Sequence, residues 1–261
     1  MALPPILMIH GMWSRPSTFA QLRAELEPAG IRSAAVTLPH HDVPPGSPAP
    51  TPLGSLRIAN YLSALERDAA DMGETPVIMG HSMGGILAQL LAERLQPKGL
   101  ILLSTAPSMQ ASGSATSLST LRATWGISSR WGWWSAPTLL DEEGARFGVF
   151  NGVPEAEIRP ALNELTWDSG PVLAQLAAPF LDPDKGSRVD YSKLKMPTLV
   201  ITGLDDHILP AAVSRKTARL LSSAGTRVDY EEWAGVGHWL FHDAVRPRLA
   251  AAISRFMASL G

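Results

Sequence analysis

The sequence predicts an α/β fold: a mostly parallel sheet flanked by helices, interrupted by one insertion. Three observations predict it. Short, wholly apolar runs bounded by Pro and Gly recur along the chain, as strands buried on both faces require. They alternate with longer segments of helical spacing. The alternation breaks once, over residues 107–190, and then resumes.

The elements follow in order. Ile6 to Ile9, behind two prolines, reads as the first strand. Ser17 to Leu26 has helical spacing and is ended by Pro28 and Gly30. Ile31 to Val36 reads as a strand, and the Pro-, Gly- and Ser-rich Val43 to Pro52 as a loop. Leu56 to Met72 is a helix with Leu56, Leu62, Leu65 and Ala69 on one face. Val77 to Met79 is a strand entering a glycine-rich turn, Ile86 to Leu95 a helix, and Leu100 to Leu103 a buried strand. Within the break, Ala106 to Thr120 is rich in Ser and Thr. Short helical pieces are expected near Asp141 to Phe147, Glu155 to Leu165 and Pro171 to Ala178. Thr198 to Thr202 restarts the alternation, followed by a helix at Ala212 to Leu221, a strand at Thr226 to Trp233 and a helix at Val245 to Met257.

Composition narrows the function. A chain of 261 residues suits one domain with an insertion, or at most two small domains, and can bury a core without staples. A net charge of −2 gives no reason to expect nucleic acid or an anionic membrane surface as partner. With no cysteine, disulfides, thiolate-ligated metals and a cysteine nucleophile are excluded. The N-terminus has no basic segment leading into a long apolar one, and no apolar run is long enough to span a bilayer, so a soluble, cytoplasmic protein is expected.

The strongest motif is Gly80-His81-Ser82-Met83-Gly84-Gly85, a G-x-S-x-G between an apolar strand and a helix. Small residues two before and two after the serine allow a sharp turn that exposes its hydroxyl and frees N–H groups at the helix start for an oxyanion. A plain helix N-cap is the alternative for such a serine. A serine nucleophile needs a base. His238, in Gly235-Val236-Gly237-His238-Trp239 after the last strand, is the candidate. His207 and His242 are weaker rivals, and His10 and His81 adjoin glycine-rich turns that they help to shape. The base needs a carboxylate to orient it. Two compete in Gly203-Leu204-Asp205-Asp206-His207, and both could instead be turn-formers. The order Ser, Asp, His fits the strand-elbow type of site. The oxyanion would be met by the N–H groups of Met12, in the loop His10-Gly11-Met12-Trp13, and of Met83.

These pieces resemble the α/β-hydrolase superfamily, in particular its small bacterial esterase and haloperoxidase-like members. The resemblance rests on the His10-Gly11 loop, the elbow at Ser82, Gly203-x-x-Asp206-x-x-x-Pro210 and Gly237-His238, in family order over nearly the whole chain. It implies Asp206 rather than Asp205 as the acid. It also implies a core of 1–106 and 191–261, with 107–190 a mostly helical cap over the site. The chain begins almost at the strand leading to His10. The antiparallel N-terminal strands of fuller members are therefore expected to be missing, leaving a sheet of about six strands. The usual Asp-x-Pro-Gly-His-Gly loop is replaced by Thr37-Leu38-Pro39-His40-His41-Asp42. Adjacent histidines point apart and no third ligand is evident, so no metal is expected, and no cofactor.

The expected activity is hydrolysis of carboxylic esters through an acyl-enzyme on Ser82. A C–C bond hydrolase, thioesterase, acyltransferase or perhydrolase-like enzyme would share the same residues, and a non-catalytic ligand-binding protein would share the fold. The insertion is rich in aromatics and poor in basic residues, chiefly Arg122, Arg130 and Arg146. Neutral esters with apolar short-to-medium or aromatic groups are therefore expected, with Trp13, Trp131, Trp134 and Trp239 as candidate pocket residues. Homo-oligomerisation is left open.

Overall fold

The apolar runs form a six-stranded sheet in which every pairing is parallel. The structure, a computed structural model, describes residues 3–115 and 117–261. Met1 and Ala2 of the N-terminal reading, and Thr116 of the Ser- and Thr-rich stretch, lie outside the described residues. The first part of the chain comprises β1 (Ile6–Ile9), α1 (Ala20–Leu26), β2 (Ser33–Ala35), α2 (Ile58–Asp71), β3 (Val77–His81), α3 (Met83–Leu95) and β4 (Gly99–Leu103). Then come α4 (Leu118–Ala123), α5 (Trp125–Ser128), β5 (Pro137–Thr138), α6 (Glu142–Gly144), α7 (Glu155–Asn163), β6 (Asp168–Ser169) and α8 (Gly170–Ala177). β7 (Thr198–Gly203), α9 (Ala211–Ser223), β8 (Val228–Trp233) and α10 (Arg246–Ala258) follow.

The strand order is β2-β1-β3-β4-β7-β8. Side chains alternate across a strand, so each apolar run feeds two cores. Leu7, Ile9, Ile78, Leu100, Leu102 and Val200 face one side, where α2, α3 and α9 pack through Leu62, Leu65, Ile86, Leu87 and Leu221. Ile6, Met8, Met79, Ile101, Leu103 and Ile201 face the other, against α1 and α10 through Leu22, Leu26, Leu249, Ile253 and Met257. Each fully buried Leu or Ile contributes about 1.5–3 kcal/mol, so these two layers hold the sheet in a chain that has no cysteine to form disulfides. Among the described residues no helix is long and apolar enough to cross a membrane.

Several boundaries differ from the sequence reading, and those of α3 and α2 bear on the packing around the site. α3 begins at Met83, not Ile86. Gly84 and Gly85 look like turn residues but are helical, because their missing side chains serve close packing rather than a bend. Leu56 lies ahead of α2, whose buried face is Ile58, Tyr61, Leu62, Leu65 and Ala69. In the insertion, the piece near Asp141 divides into α6 and a π-helical turn at Ala145–Val149.

The order reverses direction between β1 and β3: the chain leaves β1 for β2 on one side and returns to β3 on the other. In parallel sheets the loops diverge at such a point and open a crevice at the carboxyl ends of the strands. The loops after β1 and β3 meet there. A third apolar cluster covers this end, joining Trp13 and Ile208 to Ala123, Ile127, Leu140, Val149 and Phe150 of the 107–190 segment.

Candidate active site

Ser82 joins β3 to α3 with φ 55 and ψ −122. Such a backbone costs a non-glycine residue on the order of 1–3 kcal/mol and persists only when the surroundings impose it. The imposition is visible. Ser82 N–H donates to the Leu103 carbonyl at 3.0 Å, and its own carbonyl accepts from Gly85 N–H at 2.9 Å and Ala106 N–H at 2.8 Å. Gly80 and Gly84 pass so close that a Cβ on either would overlap backbone: that of Gly84 and Gly85 in the first case, the Ile9 and His10 carbonyls in the second. The Ser82 side chain caps nothing in α3, so the plain N-cap role is not the one adopted. The N–H groups of Met83, at the first position of α3, and of Met12 have no acceptor among the described residues.

His238 lies on the loop after β8 and is buried. Its Nδ1 is 2.6 Å from Asp206 Oδ2. The other oxygen of Asp206, Oδ1, accepts from Ile208 N–H at 2.9 Å and Leu209 N–H at 2.7 Å. Asp206 is buried and Asp205 exposed, so the two adjacent carboxylates do point apart. Asp205 instead joins the turn through its backbone. Its N–H donates to Val236 O at 3.0 Å, and its carbonyl accepts from Asn151 Nδ2 at 2.6 Å.

Ser82 and His238 line one small recess of about 30 Å3, with Gly11, Met12 and Trp13. Ser82, Met12, Trp13 and Ile208 also line a neighbouring cavity of about 310 Å3, walled further by Met83, Ile127, Trp133, Leu173 and Leu176. Among the described residues no charged side chain lines this larger cavity.

Of the four candidate pocket tryptophans, Trp13 borders both spaces and Trp239 the recess. Trp131 and Trp134 line neither, and this corrects the expectation for them. Trp131 is 93% exposed and Trp134 41%, and their rings pack edge-on against each other at 4.9 Å. The short turn at Trp133–Ser135 sends successive side chains different ways, and it is Trp133 that reaches the cavity. Composition alone could not tell which member of the run Trp131-Gly132-Trp133-Trp134 points inward.

The remaining histidines have distinct places. His207 is held by the Phe147 carbonyl and stacks on the Phe147 ring. His40 is exposed while His41 is buried, paired with Asp168. Among the described residues no group of three or more His, Cys, Asp or Glu is placed to hold a metal ion. His81 does more than shape its turn. Its Nε2–H donates to the His238 carbonyl at 3.1 Å, and the two rings lie 4.7 Å apart. Burial, then the neighbouring His238, push its pKa well below the usual imidazole value, so it is neutral. The sequence signal for this contact was only its place beside Ser82, at the carboxyl end of β3.

Comparisons with known proteins bear on the fold and the family. The family model described as the alpha/beta hydrolase family matches residues 6–252. A search of the curated proteins finds no match. Among solved structures, a pyrethroid hydrolase from Sphingobium faniae is similar with a TM-score of 0.72 and 22% identity, covering 98% of each chain. A monoacylglycerol lipase from Paleococcus ferrophilus gives a TM-score of 0.70 at 19% identity, covering 98% of this chain and 95% of that one. A methylesterase from Arabidopsis gives 0.68 at 15% identity, covering 98% of this chain and all, 100%, of that one. At these identities the structural likeness speaks for fold. The match to the family model spans nearly the whole chain, and the chain belongs to the α/β-hydrolase family.

Proposed function

We propose that the chain is a serine hydrolase of neutral carboxylic esters, acting through an acyl-enzyme on Ser82. One observation carries the reading. A serine forced into a strained elbow shares a recess with a buried histidine whose far nitrogen is bound to a buried carboxylate. That arrangement leaves His238 Nε2 as the base for the Ser82 hydroxyl.

In this reading Ser82 Oγ attacks the ester carbon while His238 takes its proton. The developing oxyanion accepts from the unpaired N–H groups of Met12 and Met83. Collapse expels the alcohol, protonated by His238. Water, deprotonated by the same imidazole, then attacks the acyl carbon, and the acid leaves as Ser82 regains its proton. Asp206 fixes the imidazole with its proton on Nδ1 and stabilises the imidazolium. Ser82 forms no hydrogen bond to His238 among the described residues, and such contacts often close only around substrate. The 107–190 segment serves as a cap over a core of 1–106 and 191–261. Support comes from the apolar cluster joining it to Trp13 and Ile208, and from the larger cavity having walls on both sides of that division. The uncharged wall supports a neutral, apolar substrate. The names of the structural neighbours, a lipase, a pyrethroid hydrolase and a methylesterase, point the same way.

The test is covalent labelling. A fluorophosphonate probe is expected to modify Ser82 alone, and Ser82→Ala to keep its melting temperature while losing turnover of p-nitrophenyl esters by up to about a million-fold. Labelling at another serine, or substantial activity in the alanine variant, would overturn the assignment.

A further inference from the structure

The loop after β1 is held by the 107–190 segment rather than by the strand that launches it. Trp13 has φ 56, a left-handed conformation that bulky residues rarely adopt. Three contacts keep it there. Its N–H donates to Asp168 Oδ2 at 3.2 Å, its carbonyl accepts from Thr166 N–H at 3.0 Å, and its indole N–H donates to Thr138 Oγ1 at 3.2 Å.

Asp168 is the centre of this arrangement, and its side chain is fully buried. Oδ1 accepts from the Tyr61 hydroxyl at 2.7 Å and from Ser169 N–H at 2.6 Å. Oδ2 faces His41 Nε2 at 3.2 Å in addition to Trp13 N–H. His41 Nδ1–H donates to the Pro39 carbonyl at 3.1 Å. Nε2 lies close to the carboxylate without hydrogen-bond alignment, so the two groups face each other as charges, which favours His41 as the imidazolium and Asp168 as the anion. The shifts agree. Burial, the largest single influence on each, would lower His41 and raise Asp168, but the partner's charge together with the surrounding hydrogen bonds outweighs it, raising His41 and lowering Asp168. A buried ion pair is a poor way merely to add stability, since an apolar replacement is often as stable. What it provides here is a rigid anion that takes the Trp13 N–H across from the loop after β1.

That N–H belongs to the peptide joining Met12 to Trp13. Resting on the reading of Ser82 as nucleophile, we propose that Asp168 is a positioning residue for the Met12 oxyanion donor. It locks the Met12–Trp13 peptide plane, and through the backbone of Met12 it fixes the direction of the Met12 N–H beside Ser82. The mechanism sketched above does not otherwise use Asp168, His41 or Tyr61.

The test uses the full chain and three measurements: kcat and KM for p-nitrophenyl butyrate, affinity for a trifluoromethyl ketone that mimics the tetrahedral adduct, and melting temperature. In Asp168→Asn the amide oxygen keeps the two shorter bonds, from Tyr61 O–H and Ser169 N–H, and the group facing Trp13 N–H becomes a donor. A misdirected oxyanion donor is expected to lower kcat by roughly ten- to a hundredfold, with KM changed less than about twofold and ketone affinity lost by the same factor as kcat/KM. Unchanged kcat, a loss confined to KM, or ketone affinity that does not follow would overturn the proposal. If Asp168→Asn does not fold, Tyr61→Phe removes one hydrogen bond from the carboxylate. It is expected to give a smaller kcat loss with the same KM and ketone pattern, and no loss there would equally overturn it. Wild-type protein that neither cleaves esters nor binds the ketone would sink the Ser82 reading itself, an outcome distinct from wild type and Asp168→Asn behaving alike.

Discussion

Replacing Asp206 by Asn tests the orientation of His238 most sharply, because the structure dictates how the amide must sit. Oδ1 accepts two backbone N–H groups, from Ile208 and Leu209. An amide nitrogen placed there would strand both donors, at about 1–3 kcal/mol each. The amide oxygen therefore keeps the Oδ1 position, and the NH2 group faces His238 Nδ1, 2.6 Å from the native oxygen. An amide nitrogen only donates. His238 Nδ1 must then accept, and the ring proton moves to Nε2, the nitrogen that takes the Ser82 proton in the proposed mechanism. The wrong tautomer costs about four orders of magnitude in kcat, about 5.4 kcal/mol of activation free energy. Asp205→Asn keeps both backbone bonds of its exposed residue and should stay within about twofold of wild type, as surface substitutions away from special features do. Steady-state hydrolysis of a p-nitrophenyl ester, with melting curves for both variants, decides the matter. Equal losses, or a larger loss in Asp205→Asn, would refute the assignment of Asp206 and the tautomer argument with it.

Three further outcomes are expected. Gly84→Ala should destabilise the elbow severely, because its Cβ meets the Ile9 and His10 carbonyls rather than a movable side chain; soluble protein with a wild-type melting temperature would contradict the packing. His10 is held to about 3, chiefly by burial and then by His41, with its Nδ1–H on the Gly11 carbonyl and its Nε2 accepting from Leu38 N–H. The unfolded state therefore binds the extra proton, so this contribution is intact above about pH 6.5 and is lost as pH falls toward 3. The melting temperature of His10→Gln should accordingly fall less steeply with acid than that of wild type, and parallel curves would exclude the effect. Finally, lengthening a neutral acyl chain should raise kcat/KM by up to about fourfold per methylene, the equivalent of about 0.8 kcal/mol, until the cavity of about 310 Å3 is full; a preference for carboxylate-bearing esters would refute the apolar reading of its wall.

What could be read from the sequence divides along a physical line. Strands such as Ile6–Ile9 and Gly99–Leu103 are buried on both faces, so their apolar runs announce themselves without any knowledge of partners. The positions of Ser82, Asp206 and His238 were legible because elbow, turn and loop each carry local glycine chemistry in a fixed order. The choice between Asp205 and Asp206 was not local. It depends on the loop's hydrogen bonds to Ile208 and Leu209, and only the resemblance to a family pattern selected between them. Still less legible were Trp133, Asp168 and His41. Asp168 stands 155 residues from Trp13 and 107 from Tyr61, and no periodicity connects them. A buried acid in a short extended pair reads, in sequence, like any polar residue in a turn.

The long-range contacts also change what the insertion must be doing. It touches the acid-bearing turn at three points: Asn151 on the Asp205 carbonyl, the Phe147 carbonyl on His207, and Thr120 Oγ1 on the Ile208 carbonyl at 2.8 Å. It touches the loop after β1 at four more, through Thr138, Thr166, Asp168 and the Glu164 carbonyl, which accepts from Arg15 Nε–H at 3.0 Å. A segment that only shaded a pocket would have no need to hydrogen-bond the backbone of both loops that flank Ser82. Each of those bonds removes freedom from a loop whose connections to the sheet are single strands, and loops so held can keep donors and bases oriented before substrate arrives. Under the proposed reading of Ser82, the 107–190 segment is expected to set the geometry of the chemistry as well as the shape of the pocket. Substitutions at its polar anchors should then act on kcat, while substitutions at its apolar wall, such as Leu173 or Trp133, should act mainly on KM. The two classes lie interleaved in one segment, so their separation in kinetics does not follow from position in the chain. It follows from whether a side chain faces the cavity or a loop backbone.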